Sequence, residues 1–402
     1  MSTYEPPSPS LLQPAASSSK SRRPSMKVLN THAILDAARD GSMISPAEAL
    51  HLLQLTRDED LSALRQAADE LRRRQVGESV FYSNAFSLYL TNYCEFYPTL
   101  YDYPKKAGDE RGFVLSIDGI DEILERALAQ SAQQLYVSGG GACSSLRIPG
   151  LEAPTLLKTY VKVLSHVRER TPELRLTGFS PDEIEFLSIV SNRNERYLLE
   201  MLQDLGVRGL GGNGSEILVD EVRQRVSAKK CSVKRWFEIA ATASQLGLTV
   251  QAKIETGPLE NLTQRVSHLE RLRQALNMSR EKGQVLFQVL IPQMWTRMPT
   301  VSPAREVLSP QIRPEDRFKL TAVMRLYLGD LLPDQQVCWT TNGAHEAQDA
   351  LTWGANGLGG TNALDYLSFL AGTPVLRLGS EFNESDFNRL IEETGRSPLL
   401  KT

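Results

Sequence analysis

Two oppositely charged residues, Glu216 and Arg223, are the pair in this chain whose types and spacing could grip a charged ligand. Glu216 ends the glycine-rich segment 211–216, and Arg223 follows seven residues later. If the intervening segment is helical, that spacing is about two turns and places both side chains on one helix face. Such a pair can clamp a carboxylate-bearing ligand or form a structural salt bridge, and the sequence favours neither use.

The cysteines and histidines do not have the spacing of a zinc site. The four cysteines are widely separated, and no Cys-x-x-Cys pair occurs, so neither a zinc site nor a disulfide framework is expected. The five histidines contain no pair at the spacing of metal ligands. A mononuclear metal hydrolase is therefore not expected, and no metal ligands are assigned.

Strands and helices alternate along most of the chain, and this order determines where charged side chains can meet. Short apolar runs predict strands at 86–90, 135–138, 174–179, 207–210, 248–254, 285–291, 337–340 and 357–358. Amphipathic stretches predict helices at 118–132, 155–170, 181–204, 233–246, 260–276, 315–331 and 344–353. Eight such units favour a closed (β/α) barrel over an open doubly wound sheet, whose glycine fingerprint is absent.

Glycine-rich loops and polar residues follow several of the predicted strands. In a barrel, chemistry occurs at the carboxyl ends of the strands, which form its mouth. Gly139 and Gly140 follow the second strand, Glu216 the fourth, Glu255 the fifth, and Trp339 lies in the seventh. Glycine turns are also ordinary connections, but several on one face favour a ligand site.

The two ends of the chain differ from its middle in composition. Residues 1–26 are rich in serine and proline and predict a disordered tail, although Met26 could instead be the true start. Residues 27–80 predict an N-terminal helical segment, 81–371 the barrel, and 372–402 a C-terminal helical extension packed on it.

Overall charge and hydrophobicity exclude two classes of partner. The 402 residues have a formal net charge of −3, without the basic excess of nucleic-acid binders. No apolar run reaches the roughly 18 residues of a membrane span. Few cysteines and no secretory signal predict a cytoplasmic protein. The expected partners are a small molecule in the barrel mouth and a protein subunit.

Several separate stretches of the chain carry a resemblance to a known enzyme family. They are 68–74, 216–223, 227–231, 255–256, 265–269 and 353–361. From about residue 27 to its end, the chain resembles the radical S-adenosylmethionine (SAM) subfamily of aminofutalosine synthase, dehypoxanthine futalosine cyclase and the tyrosine-handling half of deazaflavin (FO) synthase. The resemblance implies a TIM-like barrel and, for an active enzyme, a radical SAM-type transferase or cyclase.

The motif that gives this family its chemistry is degenerate here. In the family, Cys-x-x-x-Cys-x-x-Cys follows the first strand, and three thiolates bind a [4Fe–4S] cluster. The aligned residues are Cys94, Pro98 and Tyr101, so one thiolate is retained. Proline has no donor atom, and a tyrosine phenolate, with an ordinary pKa of about 10, is a poor ligand for a reduced cluster. These departures argue against the cluster and leave SAM open as a cofactor.

Two further family motifs are altered at the barrel mouth. Gly141 and Ala142 follow the retained glycine pair where the resemblance implies a polar or acidic residue that holds SAM. Residues 252–255 stand where the family has Met-Met-aromatic-Gly-His. From the loops and the resemblance together, the expected ligand-binding residues are Tyr103, Gly139, Gly140, Glu216, Arg223, Glu255 and Trp339.

Aromatic residues are concentrated around the degenerate motif. Six of the twelve tyrosines lie between positions 82 and 103. They could refill the space of a lost cluster, because an empty cavity costs packing contacts, or they could line a pocket for a flat ligand.

Three functions follow in order of preference. The first is a pseudo-enzyme without the radical reaction, acting as a binding or regulatory subunit. The second is a cluster-free enzyme that binds SAM or a nucleotide. The third is an active radical SAM enzyme of menaquinone (futalosine) or deazaflavin biosynthesis with an unconventional iron–sulfur site.

Overall fold

The structure is a computed structural model, and it describes most of the chain. The described residues are 29–96, 104–138, 142–257, 259–294, 314–339, 343–360 and 383–401. The predicted tail 1–26, with Met26, lies outside them.

Three helices precede the first strand, as the helical pattern of residues 27–80 predicts. They are α1 (Thr31–Arg39), α2 (Pro46–Leu53) and α3 (Asp58–Val76). Ser45 and Glu48 form a capping box at the start of α2, in which each side chain binds the backbone of the other residue. Leu64 and Ala67 of α3 are buried in the main core, so this segment packs on the rest of the fold.

Ten strands are present, and all of their pairings are parallel among the described residues. They are β1 (Ser79–Tyr82), β2 (Ala85–Tyr89), β3 (Gln134–Ser138), β4 (Arg175–Gly178), β5 (Gly209–Leu210), β6 (Thr249–Thr256), β7 (Val289–Met294), β8 (Gln336–Cys338), β9 (Gly357–Gly359) and β10 (Ser397–Leu400).

The strands close into a ring through a bent first strand. β2 pairs with β3, β3 with β4, β5 with β6, β6 with β7, and β8 with β9. Single parallel bridges join Leu176 to Val207 and Leu290 to Gln335, and so connect the three groups. β9 then pairs with β1, and only Ser83 and Asn84 separate β1 from β2. The predicted parallel barrel is confirmed.

Helices connect successive strands around the ring. They are α4 (Ile117–Ala129), α5 (Leu156–Arg170), α6 (Pro181–Ser191), α7 (Glu195–Asp204), α8 (Asp220–Val226), α9 (Val233–Gln245), α10 (Leu262–Glu281), α11 (Pro314–Leu328) and α12 (Ala344–Leu351). The single helix expected over 181–204 is two helices, because Asn192 adopts the left-handed conformation with φ of 53°.

Alternation along β6 separates the core side of the ring from its inside. Val250, Ala252 and Ile254 are buried in the main core, together with apolar residues of the surrounding helices. Since successive side chains of a strand point to opposite faces, Lys253 and Glu255 point into the ring. The barrel therefore has a polar interior at its carboxyl end.

The C-terminal segment differs from the expected helical extension. It contains one helix, α13 (Glu384–Glu392), but then forms β10, which pairs with β1 on the side opposite β9. Its four residues include Pro398 and have no strong apolar alternation, so the sequence does not reveal the strand. Within the described residues, no helix combines the length and apolarity needed to cross a membrane.

Candidate active site

Five buried residues form a charged cluster beside the mouth of the barrel. This Arg223 cluster consists of Asp182, Glu216, Arg223, Lys230 and Cys231, all of them buried. Asp182 lies in the first turn of α6, Glu216 in the loop after β5, Arg223 in α8, and the last two just before α9. The cluster thus joins loops that follow two neighbouring strands, β4 and β5.

Arg223 is the centre of the cluster. Its Nη2 donates to Asp182 Oδ1 at 2.7 Å, its Nε donates to the Cys231 carbonyl at 2.9 Å, and its Nη1 donates to the Gly214 carbonyl. Nη1 also lies 3.8 Å from Glu216 Oε2. The guanidinium is therefore held by protein groups, which favours the structural use of the Glu216–Arg223 pair over a ligand clamp.

Lys230 balances the second carboxylate of the cluster. Its Nζ donates to Glu216 Oε1 and lies 3.9 Å from Asp182 Oδ2. Burial alone lowers the pKa of Lys230 and Arg223, but the nearby carboxylates outweigh it, so both pKa values are raised. Both cations stay charged at neutral pH, and the cluster contains two positive and two negative groups.

Two carboxylate oxygens of the cluster can accept a further hydrogen bond. Asp182 Oδ2 and Glu216 Oε2 are buried and have no hydrogen-bond partner in the described part of the chain. A buried acceptor without a partner is costly, and a ligand donor or a water would relieve that cost. The loop after β5 is thus a place where a hydroxyl or N–H group of a ligand can bind.

A second polar group lies inside the ring and is called here the lumen group: Tyr136, Asn213, Lys253 and Glu255. Lys253 Nζ donates to Asn213 Oδ1 at 2.6 Å, and Asn213 Nδ2 donates to the Tyr136 hydroxyl at 2.7 Å. Lys253 Nζ also lies 3.8 Å from a Glu255 carboxylate oxygen. These residues come from β3, β6 and the loop after β5, so they meet only in the folded barrel.

Tyr89 of β2 lies on the same inner face. Burial raises its pKa to about 12, a hydrogen bond with Ser87 opposes the rise, and the nearby acidic residues Glu183 and Glu255 add to it. Its hydroxyl is therefore protonated at neutral pH and can donate a hydrogen bond.

The predicted site residues fall into three groups: those that the structure brings together, one that lies in a hydrophobic core, and those outside the described residues. The Glu255 N–H donates to the Glu216 carbonyl at 3.0 Å, so the structure brings these two residues together. Trp339 is buried in a second core, where its ring packs edge-on against Phe387 of α13. Outside the described residues lie Pro98, Tyr101, Tyr103, Gly139 and Gly140.

The cysteines outside the degenerate motif are held in packing or hydrogen-bonding roles. The Cys231 thiol donates to Asp182 Oδ1 at 2.9 Å, and burial, followed by the Asp182 charge, raises its pKa far above the ordinary value. Burial also raises the pKa of Cys143, whose sulfur lies 3.7 Å from Ser145 Oγ. Cys338 packs with Val289 and Ile291. High thiol pKa values oppose the thiolate form that binds metals.

Cys94 is the one cysteine of the family motif that this chain retains. It follows β2, it is half-buried, and its backbone N–H donates to the Lys105 carbonyl at 3.0 Å. In the described ranges, no three histidine, cysteine or acidic side chains are grouped to hold a metal ion. Of the three motif positions, Cys94 lies within the described residues, and Pro98 and Tyr101 lie outside them.

Sequence reasoning missed the residues that complete the two polar groups. Asp182 lies in the segment Ser180-Pro181-Asp182-Glu183, a helix start directly after a strand, and this position at the barrel mouth was a usable signal. Lys253 interrupts the apolar strand two positions before the predicted Glu255, which was a second signal. Lys230 and Asn213 carry no comparable pattern.

Comparison with known proteins identifies close relatives in sequence. No family model matches the chain. A protein of Microcystis aeruginosa is 31% identical over 344 residues, which cover 84% of this chain and 89% of that protein. A protein of Nostoc sp. is 32% identical over 343 residues, covering 84% and 86%. Both are named 5-amino-6-(D-ribitylamino)uracil–L-tyrosine 4-hydroxyphenyl transferase.

Solved structures share the fold. Methylornithine synthase superposes with a TM-score of 0.63 at 17% identity, covering 91% of this chain and 97% of that one. The hydrogenase maturase HydG superposes with a TM-score of 0.64 at 15% identity, covering 92% and 76%. The predicted radical SAM type of barrel is therefore confirmed. The sequence relatives are named as hydroxyphenyl transferases, so they do not support the futalosine branch of the resemblance.

These comparisons correct the argument drawn from Pro98 and Tyr101. The chain has the fold of radical SAM enzymes, a class that binds a [4Fe–4S] cluster and SAM, so the expectation against a cluster is wrong. The pseudo-enzyme, which rested on that expectation, gains no support from relatives that are named as transferases. By its identity to them over most of its length, the chain belongs to the family of 5-amino-6-(D-ribitylamino)uracil–L-tyrosine 4-hydroxyphenyl transferases.

Proposed function

We propose that this chain is a radical SAM-type transferase of deazaflavin biosynthesis, which transfers the 4-hydroxyphenyl group of L-tyrosine to 5-amino-6-(D-ribitylamino)uracil. The observation that carries the proposal is the 32% identity to a relative of that name across 84% of this chain and 86% of the relative.

The polar groups of the barrel suit two such substrates. An amino acid carries both charges, and the lumen group offers an ammonium and a carboxylate 3.8 Å apart. A ribityl chain and a uracil ring present hydroxyl and N–H donors, and the Arg223 cluster offers acceptor oxygens at Glu216 in the loop after β5 and at Asp182 in α6. In this proposal Tyr103, Gly139 and Gly140 contact SAM, as the resemblance implies.

The chain's own residues would bind and orient the substrates. The Arg223 cluster fixes the loop that carries Glu216, because its ion pairs join α6, α8 and the start of α9. Tyr89, protonated at neutral pH, can donate to a substrate oxygen inside the ring. A reduced [4Fe–4S] cluster and SAM, when both are bound, would supply the radical chemistry of the enzyme class.

The test is product formation by the full chain, purified and reconstituted without oxygen. The protein is incubated with SAM, a reductant and both substrates, and the coupled product is detected by mass spectrometry. We expect product with wild type, its loss in Cys94→Ala, and its retention in Lys234→Met, which alters a lysine whose side chain is 86% exposed. Iron and acid-labile sulfide are measured on the same samples.

Two outcomes would contradict the transferase. One is a reconstituted protein that binds L-tyrosine but forms no product. The other is full activity in Cys94→Ala, which would show that the retained thiol of the motif has no part in the reaction.

A further inference from the structure

The interior of the barrel contains a charged pair on one strand. Lys253 and Glu255 alternate with core residues along β6, and their partners in register on β7 are Ile291 and Gln293. Ile291 belongs to a small cluster with Val289 and Cys338, separate from the main core. Side chains at paired positions point to the same face of a sheet, so the pair faces the inside of the ring.

The geometry leaves Lys253 able to bind a ligand. Its side chain is 17% exposed, and its described partners are Asn213 at 2.6 Å and Glu255 at 3.8 Å. An ammonium group has three donor hydrogens, and the distance to Glu255 is too long for a hydrogen bond. The ammonium therefore retains donors for an anionic group that enters from the mouth.

Neighbouring glycines make room for this arrangement. A Cβ at Gly211 would overlap the Tyr136 hydroxyl, and a Cβ at Gly212 would lie 2.8 Å from Lys253 Cγ. Tyr136 and Lys253 therefore come so close to the backbone after β5 that both positions favour glycine. Tyr136 and Lys253 are thus packed on either side of Asn213, which fixes the position of the ammonium group.

We infer that Lys253 and Glu255 form the subsite for the charged end of the amino-acid substrate. Lys253 binds the α-carboxylate, Glu255 binds the α-ammonium group, and Asn213 with Tyr136 positions Lys253. The inference rests on the proposed transferase function and names the residues that recognise its amino acid.

The inference is tested by calorimetric titration of the full chain with three ligands. L-tyrosine has both charged groups, tyramine lacks the carboxylate, and 3-(4-hydroxyphenyl)propionate lacks the amine. Loss of one charge-assisted hydrogen bond weakens binding by roughly 10- to 100-fold. We expect Lys253→Met to lose that factor for L-tyrosine and the propionate but to bind tyramine as wild type does.

Glu255→Gln should show the reverse selectivity. It should weaken L-tyrosine and tyramine binding by a similar factor and leave binding of the propionate unchanged. Binding of the unaffected ligand also demonstrates that each variant is folded. The matched control is Lys234→Met, which removes a lysine with an 86% exposed side chain on α9 and should leave all three affinities unchanged.

The outcomes separate the subsite from the function. If wild type and both variants bind L-tyrosine equally, the subsite is overturned and the transferase proposal stands. If wild type binds no L-tyrosine, the proposed function fails, and the subsite fails with it. Equal weakening of all three ligands in Lys253→Met also overturns the assignment of the carboxylate to Lys253.

Discussion

At the scale of residues, the Arg223 cluster illustrates how burial changes the use of a charged pair. Glu216 and Arg223 are both buried, and the guanidinium donates to Asp182 and to two backbone carbonyls. A buried ion pair contributes less to net stability than its contacts imply, because desolvation opposes the attraction, but removing one partner strands the other. The cluster therefore fixes the geometry of the mouth.

His268 supports the same loop from α10. Its Nδ1 accepts a hydrogen bond from the Leu218 N–H at 2.9 Å, two residues beyond Glu216. The ring is fully buried, and its Nε2 has no hydrogen-bond partner among the described residues. Burial, followed by the charges of Arg271 and Arg223, lowers its pKa to about 3. His268 is thus neutral in the folded protein.

This shift predicts a loss of stability in mild acid. With a folded pKa of about 3 and an unfolded pKa of about 6.5, the unfolded chain takes up the proton first as the pH falls. The contribution of neutral His268 to the unfolding free energy is complete well above pH 6.5 and is lost progressively as the pH falls towards 3. Between pH 7.5 and 5, the unfolding free energy of wild type should fall by about 2 kcal/mol relative to His268→Gln.

Urea denaturation at several pH values measures this difference. His32→Gln, which changes an exposed histidine, is the control and should follow the wild-type profile. Parallel pH profiles for wild type and His268→Gln would mean that the histidine does not titrate differently in the two states.

At the scale of elements, the loop after β5 depends on a glycine conformation. Gly214 has φ of +86°, and a Cβ there would overlap Asp182 Oδ2. Gly214→Ala should therefore destabilise the protein through both strain and displacement of Asp182. The matched control is Gly247→Ala, because Gly247 has φ of +82° with nothing within 4 Å of a Cβ.

Thermal or urea denaturation compares the two alanine variants. Left-handed strain alone costs about 1 kcal/mol, so Gly247→Ala should lose about that amount. Gly214→Ala should lose roughly 1–3 kcal/mol more, because it also displaces a buried charged partner of Arg223. Equal losses would remove the contact with Asp182 as a cause.

The positions of strands along the sequence were easier to predict than the strands and side chains that they contact. Apolar runs located β2 to β9, since strands buried against helices need such runs, but β1, which begins inside the segment predicted to be helical, was missed. β10 carries no such run, and its pairing depends on the open edge of β1. Asp182 meets Arg223 across 41 residues, a separation that no local pattern encodes.

Local chemistry also misled the expectation about function. Pro98 and Tyr101 stand where the family has two cluster ligands. The preference for a pseudo-enzyme gave more weight to these two replacements than to the similarity along the whole chain. The relatives preserve their similarity over 84% of it. The lumen group could not be assembled in advance, because Tyr136 and Lys253 both reach Asn213 only when strands are placed around a ring.

At the scale of the whole molecule, the C-terminal strand joins the two ends of the chain. β10 pairs with β1, and Arg396, just before it, donates to Asp69 Oδ1 of α3 at 2.6 Å. Deletion of residues 397–402 should expose the edge of β1 and lower the thermal midpoint by roughly 5 °C. An exposed strand edge also promotes association.

Thermal denaturation and sedimentation velocity measure the two effects. Removal of residue 402 alone is the control and should change neither quantity. An unchanged midpoint and a monodisperse sample after deletion of 397–402 would mean that β10 does not protect the ring.

The bent first strand has a consequence for synthesis on the ribosome. Its second half, β2, meets β3 about 50 residues later, whereas its first half, β1, meets β9 about 275 residues later. At translation rates of about 5–20 residues per second, β1 waits roughly 14–55 seconds for that partner. During this interval the nascent barrel is an open sheet with an apolar edge, so chaperone supply, more than intrinsic stability, should limit the yield of this protein in a foreign host.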